Sequence, residues 1–344
     1  MVIRGHKMGP MKIVVRVPNW IGDSILALPS LLSLGKNYPQ AEVWILSKPW
    51  VKDVFSPDLP VSGLIPLPED NGIKSLRRMA RRLHEQAFDL SVLLTNSFAS
   101  ALLFSLAKIP ERWGYATDGR GLFLTKSVRV REEERAYHQV EYYLRLLSGL
   151  GLKTFPPDIR LTVTAEEKAE SRNRLLRAGI DLERPLVLLN PGAAYGPAKR
   201  WPAERFARVA SALQKDKRAE TAIIGSADEA GIAESVTSSM EIKPVVFSGQ
   251  TTLRQLLGLI SQASLFVTND SGPMHMANAL RVPVVAVFGP TDPAVTRPFH
   301  PPSAILKKDA ACWPCFYRKC PYDHRCMTSI AVEEVADAAK ALLP

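Results

Sequence analysis

Short apolar runs recur along the chain at spacings that fit strands separated by helices. Lys12–Val17, Val43–Leu46, Leu64–Ile65 and Leu90–Leu94 alternate with helix-like segments as far as Leu150. Strands alternating with helices argue for parallel sheets joined by crossover helices. Gly149, Gly151, Pro156 and Pro157 then cluster, which predicts an interdomain linker. The alternation resumes at Leu186–Leu189, Ala222–Ile224, Val245–Phe247, Leu265–Thr268 and Val284–Phe288, and Val332–Leu343 reads as a closing helix. The pattern predicts an α/β fold of two Rossmann-like, doubly wound domains, 11–155 and 156–344, facing each other across a cleft. Ligands in such sheets sit beyond the carboxyl ends of the strands. The first ten residues read as an extension ahead of the first strand.

A length of 344 residues suits two domains, each able to bury its own core. No apolar run is long enough to span a bilayer, and Met1–Met8 lacks the apolar core of a signal peptide. The expectation is a cytoplasmic protein. A net charge of +10 fits an anionic substrate, an anionic membrane surface or nucleic acid. Nucleic acid is disfavoured, because the chain has no aromatic-rich RNA-binding signature and no recognised DNA-reading helix. The densest basic cluster, Lys74 to His84, predicts a helix with Ile73, Leu76, Ala80 and Leu83 inward and its arginines outward or sideways. Such a face is either simply solvated or meets acidic head groups or an acidic acceptor.

Two strand–loop–helix junctions carry candidate chemistry. Asn190-Pro-Gly-Ala-Ala-Tyr-Gly-Pro-Ala-Lys199-Arg-Trp-Pro202 follows a strand and precedes a helix with Phe206, Val209, Ala210 and Leu213 at helical spacing. Thr268-Asn-Asp270-Ser-Gly-Pro-Met-His275 follows the strand run ending at Thr268. Backbone N–H groups at a helix start and one ammonium can together hold a phosphate. Two such loops suggest a phosphorylated ligand between them. In the first half, Val17-Pro-Asn-Trp-Ile-Gly22-Asp23-Ser24 follows the opening strand without the Gly-x-Gly-x-x-Gly fingerprint, which disfavours a nicotinamide or flavin enzyme. Asp23 there reads either as a helix N-cap or as a general base facing the cleft.

These residues together resemble the ADP-heptose:lipopolysaccharide heptosyltransferases of glycosyltransferase family 9. The resemblance runs from Met11 to the end. It rests on Trp20-Ile-Gly22-Asp23, Asn96-Ser-Phe-Ala-Ser-Ala-Leu102, Gly196-Pro-Ala-Lys199-Arg-Trp-Pro202, Asn269-Asp270-Ser-Gly272-Pro-Met-His275 and Phe288-Gly-Pro-Thr-Asp292-Pro293. The Gly-Pro-Ala-Lys-Arg-Trp-Pro string points to the heptosyltransferase II branch, with heptosyltransferase I or a later-acting relative as the alternative. The resemblance implies the GT-B glycosyltransferase fold and transfer of heptose, with inversion, from ADP-heptose to the first heptose of a heptosyl-Kdo2-lipid A acceptor. Asp23 would be the base and Lys199 would neutralise the leaving diphosphate, helped by the amides of Ser271 and Gly272. Asp270 would hold sugar hydroxyls, with His275 one turn beyond facing the same pocket or merely packing. Asp228 would bind the adenosine ribose or, on its residues alone, cap a helix. Asn96 and Ser97 would contact the acceptor, with Arg77, Arg78, Arg112, Arg120 and Lys126 as further basic candidates. Enteric relatives carry a lysine where this chain has Ala99. The resemblance implies no required cofactor, and transient contact with the cytoplasmic face of the inner membrane of a Gram-negative bacterium.

Four cysteines, Cys312, Cys315, Cys320 and Cys326, fall close together. Four thiolates can complete a tetrahedral zinc shell, although the second pair lacks Cys-x-x-Cys spacing. A structural zinc and four reduced thiols both remain open readings, while disulfides are disfavoured in the cytoplasm.

Overall fold

Every strand run read from the sequence forms a strand in the computed structural model, which describes residues 9–343 apart from positions 56, 58 and 71. Residues 1–8 of the expected extension, and Pro344, lie outside the described residues. The chain divides into two compact units, the first ending at Asp158 and the second starting at Ile159.

The first unit is built on six parallel strands: β1 (Lys12–Arg16), β2 (Glu42–Ser47), β3 (Gly63–Pro66), β4 (Leu90–Leu93), β5 (Glu111–Tyr115) and β6 (Lys126–Val128), in the order β3-β2-β1-β4-β5-β6. The second repeats the plan with β7 (Leu186–Asn190), β8 (Glu220–Ile223), β9 (Val245–Val246), β10 (Leu265–Asn269), β11 (Val284–Phe288) and β12 (Ser303–Lys307), in the order β12-β11-β10-β7-β8-β9. Central strands β4, β7, β10 and β11 are buried along their whole length. Covered on both faces by helices, they read as continuous apolar runs rather than alternating ones.

In each sheet the winding reverses between the first strand of the unit and the fourth. At such a switch point two loops leave adjacent strand ends in opposite directions and open a crevice, the usual ligand position in this architecture. The loop and first helical turn after β1 carry Asp23, and the loop after β4 carries Asn96–Ser97. The loops after β7 and β10 carry Lys199 and Asp270–Ser271.

Three strands escaped the sequence reading. β5 begins with Glu111 and Arg112 and contains Gly114, so its apolar signal is diluted, yet Trp113 and Tyr115 are 2% and 1% exposed. β6 and β12 are edge strands with no fully buried residue. The basic helix forms over Ile73–Glu85 with Ala80 and Leu83 buried and Leu76 packed part-buried against the core, as expected, and with Ser75 and Met79 buried beside them. Ile73, expected inside, is 70% exposed. It is the first residue of the helix, and Met79 with Ala80 occupies the face it was meant to share.

Candidate functional site

In the second unit the loop after β7 is folded around Lys199. Gly196 adopts φ 152°, and a Cβ there would lie 2.3 Å from the Arg318 carbonyl oxygen, so only glycine fits. The chain then makes a short turn over Pro197–Lys199 and enters the helix Ala203–Lys217, anchored by Trp201, which is 1% exposed. The Trp201 amide donates to Asn269 Oδ1 at 3.0 Å, and Asn269 Nδ2 donates to the Pro191 carbonyl at 2.8 Å. One asparagine at the end of β10 thereby ties both halves of the β7 loop.

Lys199 Nζ lies 2.5 Å from Asp270 Oδ2, with the two side chains 12% and 5% exposed. Thr291 Oγ1 donates to the same carboxylate oxygen at 2.6 Å. The ammonium also sits 4.8 Å from the centre of the Tyr195 ring. Asn190 Nδ2 donates to Ser271 Oγ at 2.7 Å and to Thr268 Oγ1 at 3.0 Å. Ser271 is the N-cap of the helix Gly272–Ala279, which has proline in its first turn, and its side chain makes no capping bond. The amino end of this helix is a region of positive potential, where negative charge is favoured. A cation, a hydroxyl pair and a helix start thus converge at the β7/β10 switch point.

The remaining donor-side candidates are placed less centrally. His275 is buried, at 5% exposure, between the fully buried Met274 and Met276. Asp228 stands exposed on the turn Ala227–Glu229. Its neighbour Glu229, passed over in the sequence, turns inward instead. A Cβ on Gly192 would meet the Glu229 carboxylate at 2.1 Å, and one on Gly225 would meet it at 3.2 Å. Glu229 also accepts from the Ser226 amide at 2.8 Å as half of a capping box. The two glycines that make room for it were the available sequence signal.

In the first unit, Asp23, Asn96 and Ser97 line one cavity of ≈940 Å³ at the β1/β4 switch point. Asp23 is not an N-cap. That position belongs to Trp20, and Asp23 is the third residue of the helix Ile21–Leu26. The carboxylate, part-buried, stands near the Tyr143 hydroxyl, whose pKa is pushed well above its ordinary value by burial, then by Asp23 and Tyr142. Tyr143 therefore stays protonated at neutral pH. Asn96 Nδ2 donates to the Tyr142 hydroxyl at 2.8 Å, and Ser97 caps the helix Phe98–Leu106 by accepting from the Ser100 amide at 3.4 Å.

Two buried arginines brace the loops around this cavity. Arg120 is fully buried and donates to the carbonyls of Thr95 and Tyr115 and, at 3.1 Å, to Asn96 Oδ1. Arg16, the last residue of β1, donates to the Val17 carbonyl and to Asn19 Oδ1. Burial lowers both guanidinium pKa values to about 10, so each remains charged at neutral pH. Arg120 thus supports Asn96 from behind rather than presenting a surface cation. Arg112 is likewise consumed by the carbonyls of Ile109, Pro110 and Phe123, and Lys126 by that of Leu150.

All four cysteines line a single pocket of ≈450 Å³ in the second unit. Cys326 is the buried member, and its thiol pKa is raised to about 11 by desolvation and then by Cys315, Cys320 and Cys312. Thiols suit a soft metal, but among the described residues no three Cys, His, Asp or Glu side chains are placed to hold one. The segment does touch the Lys199 loop directly. Ala198 donates its amide to the Arg318 carbonyl at 3.0 Å, and the Ala198 carbonyl lies 2.7 Å from His324 Nε2.

Comparison with known proteins bears on this arrangement. Residues 76–325 match glycosyltransferase family 9, the heptosyltransferases. The chain is 32% identical to lipopolysaccharide heptosyltransferase 2 of Escherichia coli K12, over 86% of this chain and 88% of that one. It is 32% identical to lipooligosaccharide heptosyltransferase 2 of Campylobacter jejuni, over 97% and 98%. The solved structure of the E. coli ADP-heptose lipopolysaccharide heptosyltransferase II superposes with a TM-score of 0.82 at 28% identity, covering 96% of this chain and 98% of that one. The two doubly wound sheets are those of a GT-B glycosyltransferase, and with the match spanning the loops of both sites' fourth strands, the chain belongs to glycosyltransferase family 9, the heptosyltransferase family.

Proposed function

We propose that this heptosyltransferase moves L-glycero-D-manno-heptose from ADP-heptose to the first heptose of heptosyl-Kdo2-lipid A. The observation that carries this reading is the Lys199–Asp270 pair beside the start of the helix Gly272–Ala279, in a chain whose relatives are named lipopolysaccharide heptosyltransferase 2. Asp23 takes the proton of the acceptor hydroxyl as that oxygen attacks the anomeric carbon. The bond from that carbon to the β-phosphate oxygen breaks, and its electron pair leaves on ADP. The configuration inverts because the acceptor oxygen enters opposite the leaving diphosphate.

Charge on the diphosphate grows as the bond breaks. Lys199 and the amides of Ser271 and Gly272 meet that charge from fixed positions, the arrangement that favours a transition state over its ground state. Asp270, sharing its carboxylate between Lys199 and Thr291, positions the lysine and accepts from donor sugar hydroxyls. Asp228 takes the ribose, and His275 backs the donor pocket. Asn96 and Ser97 contact the acceptor, which the chain reaches at the cytoplasmic face of the inner membrane. Among the described residues no helix is long and apolar enough to cross a membrane, so that contact is peripheral in this reading. In this reading the lysine and the helix start stabilise the leaving diphosphate without a required cofactor.

The test is ADP release from ADP-heptose with monoheptosylated Kdo2-lipid A, comparing the parent chain with Asp23→Asn. Release that depends on this acceptor and collapses in the variant supports the reading. Release with the unheptosylated acceptor alone moves the chain to heptosyltransferase I. Full activity in the variant removes Asp23 from the base role.

A further inference from the structure

The helix Ile73–Glu85 presents a continuous cationic stripe. Lys74, Arg77, Arg78, Arg81 and Arg82 recur at three- and four-residue spacing and are all exposed, while Ser75, Met79 and Leu83 bury the opposite side. The stripe runs about 12 Å at 1.5 Å per residue. Glu85 is the helix's single acid. Asp70 approaches Arg78 at 4.0 Å with both side chains well exposed, too weak a pair to cancel the charge.

Two apolar features adjoin these cations. Ile73, at the amino end, is 70% exposed. A pocket of ≈290 Å³ opens beside the helix, with Pro66, Leu67, Pro68 and Met79 as its apolar wall and Arg78 and Arg82 on its lining. A surface that pairs guanidinium groups with apolar footholds matches the boundary between phosphate head groups and acyl chains. Single-stranded nucleic acid needs stacking platforms, and this helix carries no phenylalanine, tyrosine or tryptophan.

We infer that the outward face of Ile73–Glu85 docks the protein on an anionic phospholipid bilayer. The inference rests on the lipid-borne acceptor proposed above and names the surface that brings the enzyme to it. Each basic residue at such a surface raises partitioning roughly five-fold, so removing three costs on the order of 100-fold.

The experiment is co-sedimentation with vesicles of phosphatidylcholine alone and of phosphatidylcholine with phosphatidylglycerol. The parent chain is compared with Arg77→Gln/Arg78→Gln/Arg81→Gln and with a control on another exposed helix, Lys168→Gln/Arg172→Gln/Arg177→Gln. Thermal melting confirms that both variants fold. Expected is binding only to the anionic vesicles, weakened by added salt, lost in the first variant and retained in the control. Equal loss in both variants reduces the effect to net charge and overturns the inference, as does unchanged binding in the first. ADP release with a deacylated, water-soluble acceptor is measured in parallel. A raised KM there in the first variant, without any vesicle binding by the parent, makes the helix an acceptor surface instead. Retention on RNA but not on vesicles also overturns the inference. Vesicle binding with no acceptor-dependent ADP release preserves the docking surface and overturns the transfer reading alone.

Discussion

Replacing Lys199 with methionine separates the stability role of this side chain from the catalytic role proposed for it. Its ammonium contacts a carboxylate that is 5% exposed and that keeps only Thr291 once the lysine is gone. Removing one partner of a buried pair costs about 3–5 kcal/mol, because the other charge is left uncompensated. Here the Thr291 hydroxyl still donates and the lysine end is 12% exposed, so the expected loss is smaller, about 2–3 kcal/mol. In a unit of this size that lowers Tm by roughly 4–12 °C. Activity should fall further than stability, since loss of one group facing the developing charge costs about 100- to 1,000-fold in kcat. Differential scanning calorimetry and ADP release read the two effects separately. The decisive comparison is Lys199→Met with Asp270→Asn. The double variant removes both charges together, so its melting should return to within about 1 kcal/mol of the parent. Its turnover should stay as low as that of the single variant. Recovery of turnover in the double variant would refute the leaving-group role, and unchanged melting in Lys199→Met would refute the energetic argument.

Asp23→Asn should leave ADP affinity and melting nearly unchanged, because the cap is Trp20 and a first-turn acid is worth about 0.3–1 kcal/mol; kcat should drop about 100- to 10,000-fold. Calorimetric titration with ADP beside the turnover assay checks both. Gly196→Ala places a Cβ 2.3 Å from the Arg318 carbonyl oxygen, so the Lys199 loop must shift, and donor KM should rise with a melting loss of about 1–3 kcal/mol. Alkylation by iodoacetamide, followed by mass spectrometry, should label exposed Cys312 first and Cys326 last. The Cys326 thiol is raised from 9.0 to about 11, so the folded state holds its proton where the unfolded thiol ionises. Its stabilising contribution is complete below pH 9 and is lost as pH rises from 9 toward 11. Equal protection of all four thiols, released by a chelator, would instead reveal a bound metal.

The sequence was most legible where two physical signals coincided. β7 and β10 announce themselves as apolar runs because they are buried on both faces. Each is followed by glycine and proline where the backbone must turn close to a neighbour. Gly196 is such a case, with the Arg318 carbonyl directly against it. Lys199, Asp270 and Ser271 could therefore be picked out and were found together. What stayed hidden depends on partners distant in sequence. Arg120 read as a basic candidate for acceptor contact, since arginine is mostly exposed; only the fold brings the carbonyls of Thr95 and Tyr115 to it. Asp23 left a cap open as one of its two readings because the helix starts a few residues earlier, at Ile21 after Trp20. Glu229 was overlooked beside Asp228 because its inward turn depends on space left by Gly192, remote in the chain.

The repeated strand order explains why both sets of candidate residues lie at the same place in their sheets. A parallel sheet with helices on both faces has one position where neighbouring strands feed helices on opposite sides. That position is β1/β4 in one unit and β7/β10 in the other. The first holds a carboxylate and amide side chains over buried guanidinium groups; the second holds an ammonium and an uncapped helix start. In the proposed reaction the first would take a proton from a sugar hydroxyl and the second would receive a diphosphate. Divided in this way, proton removal and leaving-group stabilisation can be tested independently. Asp23→Asn should spare ADP binding, and Lys199→Met should weaken it about 10- to 100-fold, the loss of one charge-assisted contact. Comparable loss of ADP affinity in both variants would overturn the division of labour between the two sheets.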